Sequence, residues 1–159
     1  VSNDFRKITL IRDPQSGGSA ASSNTLRATK AINLTGVSGT FTADEEINQA
    51  TTGAVGKVVE WDSTNNILYY IQTRHNDEGV DSNGDLTAFS GTNVVTGQSS
   101  SATGTPTTST STINSQSFTS GYSASEIDAD SGDILYIENR APITRAADQT
   151  ENIKLVIEF

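Results

Sequence analysis

The sequence contains no cysteine, which excludes disulfide bridges, thiolate nucleophiles and cysteine-ligated metal centres. Its single histidine, His75, lies in a polar stretch, so a histidine pair for zinc is impossible and a catalytic triad is unsupported. The longest apolar run covers only residues 67–71, far fewer than a membrane-spanning helix needs. From these absences we predict a protein that is not an enzyme and carries no cofactor.

Basic residues are also scarce. The chain has 10 Lys and Arg against 19 Asp and Glu, a formal net charge of −9. Binding to nucleic acid rests on cationic contacts with phosphates, and anionic lipid surfaces repel an acidic protein. We therefore predict neither a nucleic acid nor a membrane as partner.

Apolar residues make up 33% of the chain, so the hydrophobic core must be thin. Ile and Val together number 22 against 7 Leu, and β-branched side chains favour pleated sheet over helix. We predict a mainly β fold, an antiparallel sandwich or small barrel with long polar loops and little helix. Residues 1–159 are expected to form a single β-rich domain.

An internal repeat with an offset of 48 residues occupies the middle of the chain. "FTADEEINQATTGAVG" (41–56) aligns with "FSGTNVVTGQSSSATG" (89–104), which matches Ile47 with Val95 and Ala54 with Ala102. Each copy predicts a strand, a turn and a second strand, and two such copies can pair in one barrel or sheet. Residues 38–105 are thus a candidate inserted or repeated β-module.

Two further stretches of the middle region have clear local signals. "VVEWDSTNNILYYI" (58–71) predicts a hairpin, since two apolar runs flank the turn-forming residues "DSTNN". The segment 97–125 is dominated by Ser and Thr, which predicts a flexible polar loop.

One loop offers oxygen ligands at alternate positions. Asp81, Asn83 and Asp85 resemble the first half of a calcium-binding loop. The bidentate Glu expected later in such a loop is missing, since Thr92 stands there. Clusters of Asp, Asn and Gly also form ordinary turns, so both a weak calcium site and a plain turn remain open.

The two ends of the chain carry the most specific pattern. "DFRKITLIRDP" (4–14) and "GDILYIENRAPITRAADQTENIKLVIEF" (132–159) together resemble the C-terminal half of the baseplate wedge subunit of T-even-like contractile-tailed phages, including cyanophage homologues. The resemblance implies that the chain is the C-terminal portion of a longer parent. It also implies a structural role in the virion tail baseplate, after synthesis in the host cytoplasm.

The same resemblance implies partners. Other baseplate wedge proteins are expected to contact the chain, and the parent is expected to be a homodimer. Arg140, Arg145 and Asp148 lie in the connector of the C-terminal pattern. Guanidinium and carboxylate groups suit bidentate pairing, either within the fold or across to a partner.

A carbohydrate- or receptor-binding β-module is the alternative hypothesis. Trp61, Tyr69, Tyr70 and Tyr122 are the aromatic residues that could stack on a sugar. A sugar-binding protein should gather such residues on one exposed face. An assembly protein should instead present an extended apolar or charged patch.

Overall fold

The structure is a computed structural model that describes residues 8–72 and 78–138. These residues contain no helix, and their backbone forms short antiparallel strands. In chain order the strands are β1 (Ile8–Arg12), β2 (Gln15–Ser16), β3 (Ser19–Ala20), β4 (Lys30–Ser38), β5 (Glu46–Gln49), β6 (Ala54–Asp62), β7 (Ile67–Ile71), β8 (Val95–Gly97), β9 (Thr103–Pro106), β10 (Ser111–Ile113), β11 (Gln116–Phe118), β12 (Tyr122–Ser123) and β13 (Asp133–Glu138).

The chain divides into two compact units. The terminal unit comprises Val1–Arg12 and Gly132–Phe159, and the barrel unit comprises Asp13–Ser131. In the described part of the terminal unit, β1 pairs with β13 as an antiparallel ribbon. The barrel unit holds all the other strands.

Six strands of the barrel unit form a closed antiparallel barrel in the order β4-β7-β6-β5-β8-β9. Closure depends on the length of β4, whose first part, Lys30–Asn33, pairs with β7. Its second part, from Leu34 to Ser38, pairs with β9 and completes the circle. A closed barrel leaves no unpaired sheet edge. The predicted mainly β fold is confirmed, and the described residues form a barrel rather than a sandwich.

The core of the barrel is small and is built from alternate positions of the strands. Eleven buried residues form the main cluster: Ile32, Leu34, Phe41, Ile47, Ala54, Val58, Leu68, Tyr70, Phe89, Val95 and Ala102. A second, smaller cluster contains Ala31, Ile67 and Phe118. The low apolar content of the sequence thus suffices, because a narrow barrel needs few side chains to fill it.

The two copies of the repeat, which are offset by 48 residues, form equivalent hairpins, β5–β6 and β8–β9. The hairpins pair with each other through β5 and β8, and Asn48 lies opposite Thr96, its own counterpart in the repeat. The aligned residues Phe41 and Phe89 are 3% and 6% exposed in the same core. The matched sequence positions therefore occupy matched structural positions.

Two buried polar side chains join the copies near this seam. The Glu45 carboxylate accepts hydrogen bonds from the N–H of Thr42, Ser99 and Ser100 and from the Ser100 hydroxyl, at 2.7–3.2 Å. It thereby ties the start of β5 to the turn between β8 and β9. A Cβ atom at Gly97 would lie 2.7 and 2.8 Å from the two Glu45 carboxylate oxygens, so the carboxylate needs glycine at that position.

Gln49 is fully buried, belongs to the same copy as Glu45 and also forms hydrogen bonds with the second copy. Its Oε1 accepts a hydrogen bond from Ser90 N at 2.9 Å, and its Nε2 donates to the carbonyl oxygen of Asn93 at 2.8 Å. The side chain therefore fixes the loop that leads into β8. Both polar side chains thus have hydrogen-bond partners in the opposite copy as well as in their own, as buried polar groups require.

The hairpin predicted at 58–71 is confirmed as β6 and β7. Asp62 closes its turn by accepting hydrogen bonds from Thr64 N and from both the backbone and the side chain of Asn65. The segment 97–125, predicted as a flexible loop, differs from expectation and contains β9 to β12. Its buried Phe118 and Ala102 anchor it to the two clusters, an effect that a Ser- and Thr-rich composition conceals.

Glu45 makes a testable contribution to stability. Burial raises the pKa of its carboxyl, but hydrogen bonds from Thr42, Ser100 and Ser99 outweigh burial and hold the pKa below its usual 4.5. A carboxyl whose pKa is lowered by folding stabilises the fold fully above its unfolded pKa, and the contribution is lost as pH falls through the folded pKa. Thermal unfolding at pH 7 and pH 3 should therefore show a loss of stability in acid that Glu45→Gln reduces.

The size of this contribution follows from the donors that depend on Glu45. Glu45→Ala removes the acceptor of four partly buried hydrogen bonds and should lower the free energy of unfolding by about 2 kcal/mol. The control is Glu46→Ala, since the neighbouring Glu46 is exposed. Equal effects of the two substitutions in urea unfolding at pH 7 would contradict the assigned role.

Candidate assembly surface

The loop that could have held calcium is organised by its own hydrogen bonds. The Asp81 carboxylate Oδ1 accepts the N–H groups of Asn83 at 2.8 Å and Asp85 at 3.0 Å. Hydrogen bonds from the backbone of Asp85 and Asn83 lower the pKa of Asp81. Across residues 8–72 and 78–138, no group of three or more His, Cys, Asp or Glu could hold a metal ion. The geometry favours the turn interpretation, and the calcium site stays a prediction.

Other predicted residues lie outside the described part of the chain. They are His75 and the connector residues Arg140, Arg145 and Asp148. The internal or intermolecular pairing of the connector residues stays a prediction.

Two of the four candidate stacking aromatics, Trp61 and Tyr70, pack against other rings of the barrel. The Trp61 ring packs edge-on against Phe41, with ring centroids 5.3 Å apart. Tyr70 packs in the same way on Phe89 at 4.9 Å, and burial raises the pKa of its phenol. Among the described residues these side chains do not gather on one exposed face.

The other two phenols have different surroundings. The Tyr122 hydroxyl donates to the carbonyl oxygen of Gly91 at 2.9 Å and accepts a hydrogen bond from Gln49. Tyr69 is partly buried against the small cluster around Phe118, and burial raises the pKa of its phenol. The Tyr122 hydroxyl is therefore committed to internal hydrogen bonds, whereas Tyr69 stays a candidate for stacking on a sugar.

Tyr69 also lines a shallow open groove of about 370 Å³ on the barrel. The remaining lining residues are Arg27, Thr29, Val59, Glu60, Asp62 and Asn114. The Arg27 guanidinium is already committed to the carboxylate of Glu126 at 3.0 Å and to the carbonyl oxygen of Asn114 at 2.7 Å. This pairing fixes one wall of the groove and leaves little cationic capacity for a ligand.

The largest exposed apolar feature is the β1–β13 ribbon. Four consecutive residues of β13 have exposed fractions of 48–61%: Ile134, Leu135, Tyr136 and Ile137. Leu10 and Ile11 of β1 are 55% and 50% exposed. Because successive side chains of a strand point to opposite faces, apolar residues are exposed on both faces of the ribbon.

Polar interactions contribute little to the ribbon. Arg12 and Asp133 form an ion pair of 2.8 Å with side chains 60% and 67% exposed, and exposed pairs stabilise weakly. A bulge occurs where the register shifts between Leu10 and Ile11. An isolated two-stranded ribbon is only marginally stable in water. Its apolar side chains therefore form a surface suited to burial against another protein surface.

The barrel unit presents no comparable patch within its described residues. Its described residues include four large apolar side chains that are exposed, against six in the ribbon: Leu26, Val59, Ile71 and Val94. Single exposed apolar residues are ordinary on protein surfaces, whereas a contiguous patch indicates an interaction site. The ribbon is thus the extended apolar patch that the assembly hypothesis requires.

The sequence did not show that β1 and β13 pair with each other. β1 and β13 are separated by the whole barrel unit, and no local pattern encodes such a distant pairing. A usable signal was present nonetheless, because both runs belong to the one resemblance that spans the chain ends. A helix long and apolar enough to cross a membrane is not found in the described residues.

The described residues thus combine a small closed barrel with an exposed apolar ribbon, a kind of surface that protein assembly uses. The sequence family described as Bacteriophage T4, Gp8 matches residues 94–159 of this chain. The match begins beside β8, includes β13 and extends to the last residue. It supports a T4-like baseplate protein with a structural role in the virion tail, in agreement with the resemblance seen at residues 132–159.

The other comparisons give no relatives. No curated protein matches the chain. No solved structure matches it either.

The exposed ribbon predicts a measurable property of the purified protein. Leu135 and Ile137 alternate along β13, so the double substitution Leu135→Lys with Ile137→Lys places two charges on one face. Removing two of the six exposed apolar side chains should lower the fluorescence of a bound hydrophobic dye by roughly a third. Self-association in sedimentation velocity should fall with it.

The matched control is Leu26→Lys, because Leu26 is 46% exposed but lies on the barrel unit. Circular dichroism of all variants would establish that the barrel remains folded. Dye binding that responds to Leu26→Lys and not to the ribbon substitutions would contradict the assignment of the apolar surface.

Proposed function

We propose that this protein is a structural component of a phage tail baseplate wedge and acts through contacts with other wedge proteins. The observation that carries the proposal is the exposed apolar ribbon β1–β13, because β13 lies within the segment that matches the baseplate family. Such contacts require complementary surfaces and no catalytic group, so the protein is proposed not to be an enzyme.

The finer parts of the proposal rest on the resemblance at the two chain ends. The chain is proposed to be the C-terminal portion of a longer wedge subunit of the T-even type, with cyanophage-like homologues. The parent is proposed to be a homodimer that is made in the host cytoplasm and incorporated into the baseplate. Arg140, Arg145 and Asp148 are proposed to pair within the connector or with a partner.

The distribution of charge supports the terminal unit as the attachment surface. Residues 1–12 and 132–159 contain six acidic and six basic residues, whereas residues 13–131 contain 13 acidic and four basic residues. The whole net charge of −9 therefore belongs to the barrel unit. The terminal unit therefore carries no net charge that would oppose its association with an acidic or a basic partner. The acidic barrel unit supports the proposal that neither nucleic acid nor a membrane is a partner.

The carbohydrate-binding alternative has less support. Trp61, Tyr70 and Tyr122 are used for packing or internal hydrogen bonds, which leaves Tyr69 in its groove as the single candidate among the four. The described residues fit the apolar patch expected of an assembly protein better than the aromatic face expected of a sugar-binding protein.

The proposal predicts salt-resistant assembly. The tagged full-length parent should capture other wedge proteins at fixed ratios from a lysate of phage-infected cells. Mass spectrometry would identify and quantify the captured proteins. Raising the salt from about 0.1 M to about 1 M shortens the Debye length from about 10 Å to about 3 Å and weakens exposed charge pairs, but not apolar burial. Capture should therefore persist at high salt.

The ribbon variant makes the test specific. Leu135→Lys with Ile137→Lys should reduce capture of the wedge proteins at least tenfold, which corresponds to about 1.4 kcal/mol of binding free energy. Leu26→Lys should leave capture unchanged. Capture that is lost in high salt, or that survives the ribbon substitutions, would show that the ribbon is not the attachment surface. Failure of the intact protein to capture any wedge protein would overturn the proposed function.

A further inference from the structure

We propose that residues 13–131 are a self-contained module inserted between the two strands of the β1–β13 ribbon, and that assembly through the ribbon does not require this module. The second part rests on the proposed function, whereas the first part rests on the structure alone. Four observations lead to it.

The first observation is the proximity of the points where the chain leaves and re-enters the ribbon. Arg12, the last residue of β1, is paired in register with Asp133, the first residue of β13. Paired residues of antiparallel strands have Cα atoms about 4.5–5.5 Å apart. A two-residue hairpin turn spans this distance, so the ribbon itself needs none of the intervening chain.

The second observation is that the base of the module is closed by its own hydrogen bonds. The Asp128 carboxylate accepts the N–H groups of Gly17 at 3.0 Å and Gly18 at 2.7 Å. Both glycines have positive φ angles, +59° and +73°, which aim consecutive N–H groups at one anion. The Asp128 N–H also donates to the carbonyl oxygen of Gln15 at 2.8 Å.

A second link reinforces the same closure. The Gln15 N–H donates to the Ser131 hydroxyl at 3.0 Å, and that hydroxyl donates to the carbonyl oxygen of Asp128 at 2.7 Å. Residues near the two ends of the module, Gln15 and Ser131, are thus joined to each other within the module itself. A segment whose ends are fixed in this way retains its geometry when the flanking chain is changed.

The third observation is the closure of the barrel. The ring β4-β7-β6-β5-β8-β9 begins and ends within residues 13–131, and all residues of both buried clusters lie there as well. The fourth observation is the distribution of charge, since the entire net charge of −9 belongs to the module and the remaining residues sum to zero. A core of its own and a distinct surface composition are the usual marks of an autonomous domain.

The first test removes the module from the full-length protein. Residues 13–132 are replaced by Asn-Gly, a dipeptide that favours the two-residue turn between Arg12 and Asp133. The shortened protein should capture the same wedge proteins at the same ratios as the intact protein. If the intact protein captures them and the shortened one does not, the module is required and the proposal is wrong.

The second test begins from the intact folded protein, so that a failure of the deletion variant to fold does not leave the question open. Site-specific protease sites are placed after Arg12 and before Asp133, and the module is cut out in its native state. The released module should unfold cooperatively at the same temperature as the barrel in the uncut protein. Loss of structure on cutting would overturn the autonomy of residues 13–131.

The base of the module supplies a matched pair of variants for this second test. Asp128→Ala removes the acceptor for Gly17 and Gly18 and should lower the unfolding temperature of the released module. Asp130→Asn, at an exposed acid two residues away, should leave it unchanged, because asparagine tolerates the positive φ of +61° at this position. This test is independent of the proposed function, because it is decided by the folding of the module even if the intact protein captures no wedge protein.

Discussion

The barrel depends on the seam where β5 meets β8, because this seam joins the two copies of the repeat. Asn48 and Thr96 pair at its centre, while the buried side chains of Glu45 and Gln49 reach from one copy to the loops of the other. Each polar group has its full set of partners only when both copies are present, because some of its hydrogen bonds come from each copy. Closure of the ring, the geometry of both hairpins and the stability of the thin core all follow from this mutual requirement.

The narrow barrel also explains how so polar a sequence folds. A narrow closed barrel needs few apolar side chains, and buried polar groups satisfy the turns that a larger core would otherwise hold in place. Further apolar residues lie in the ribbon, where Ile134 to Ile137 remain exposed. Contiguous exposed apolar residues of this kind are typical of interaction surfaces.

The net charge and most of the exposed apolar side chains belong to different units. The barrel unit carries the whole net charge, whereas the terminal unit has no net charge and exposes six large apolar side chains of its described strands. Acidic residues on the barrel keep that surface hydrated and discourage non-specific association. The family match supports a structural protein of a T4-like baseplate.

The sequence by itself determined the mainly β fold, the β6–β7 hairpin, the repeat positions and the baseplate resemblance, because composition, turn residues and periodicity are local properties. Only the tertiary structure decided between barrel and sandwich, ordered the segment 97–125 and paired β1 with β13. These features depend on contacts between residues far apart in sequence. Phe118 is buried in a cluster with Ala31 and Ile67, which are distant in sequence. Leu10 pairs with Tyr136 although residues 13–131 separate them in sequence. No local pattern indicates which distant strand will supply the hydrogen bonds.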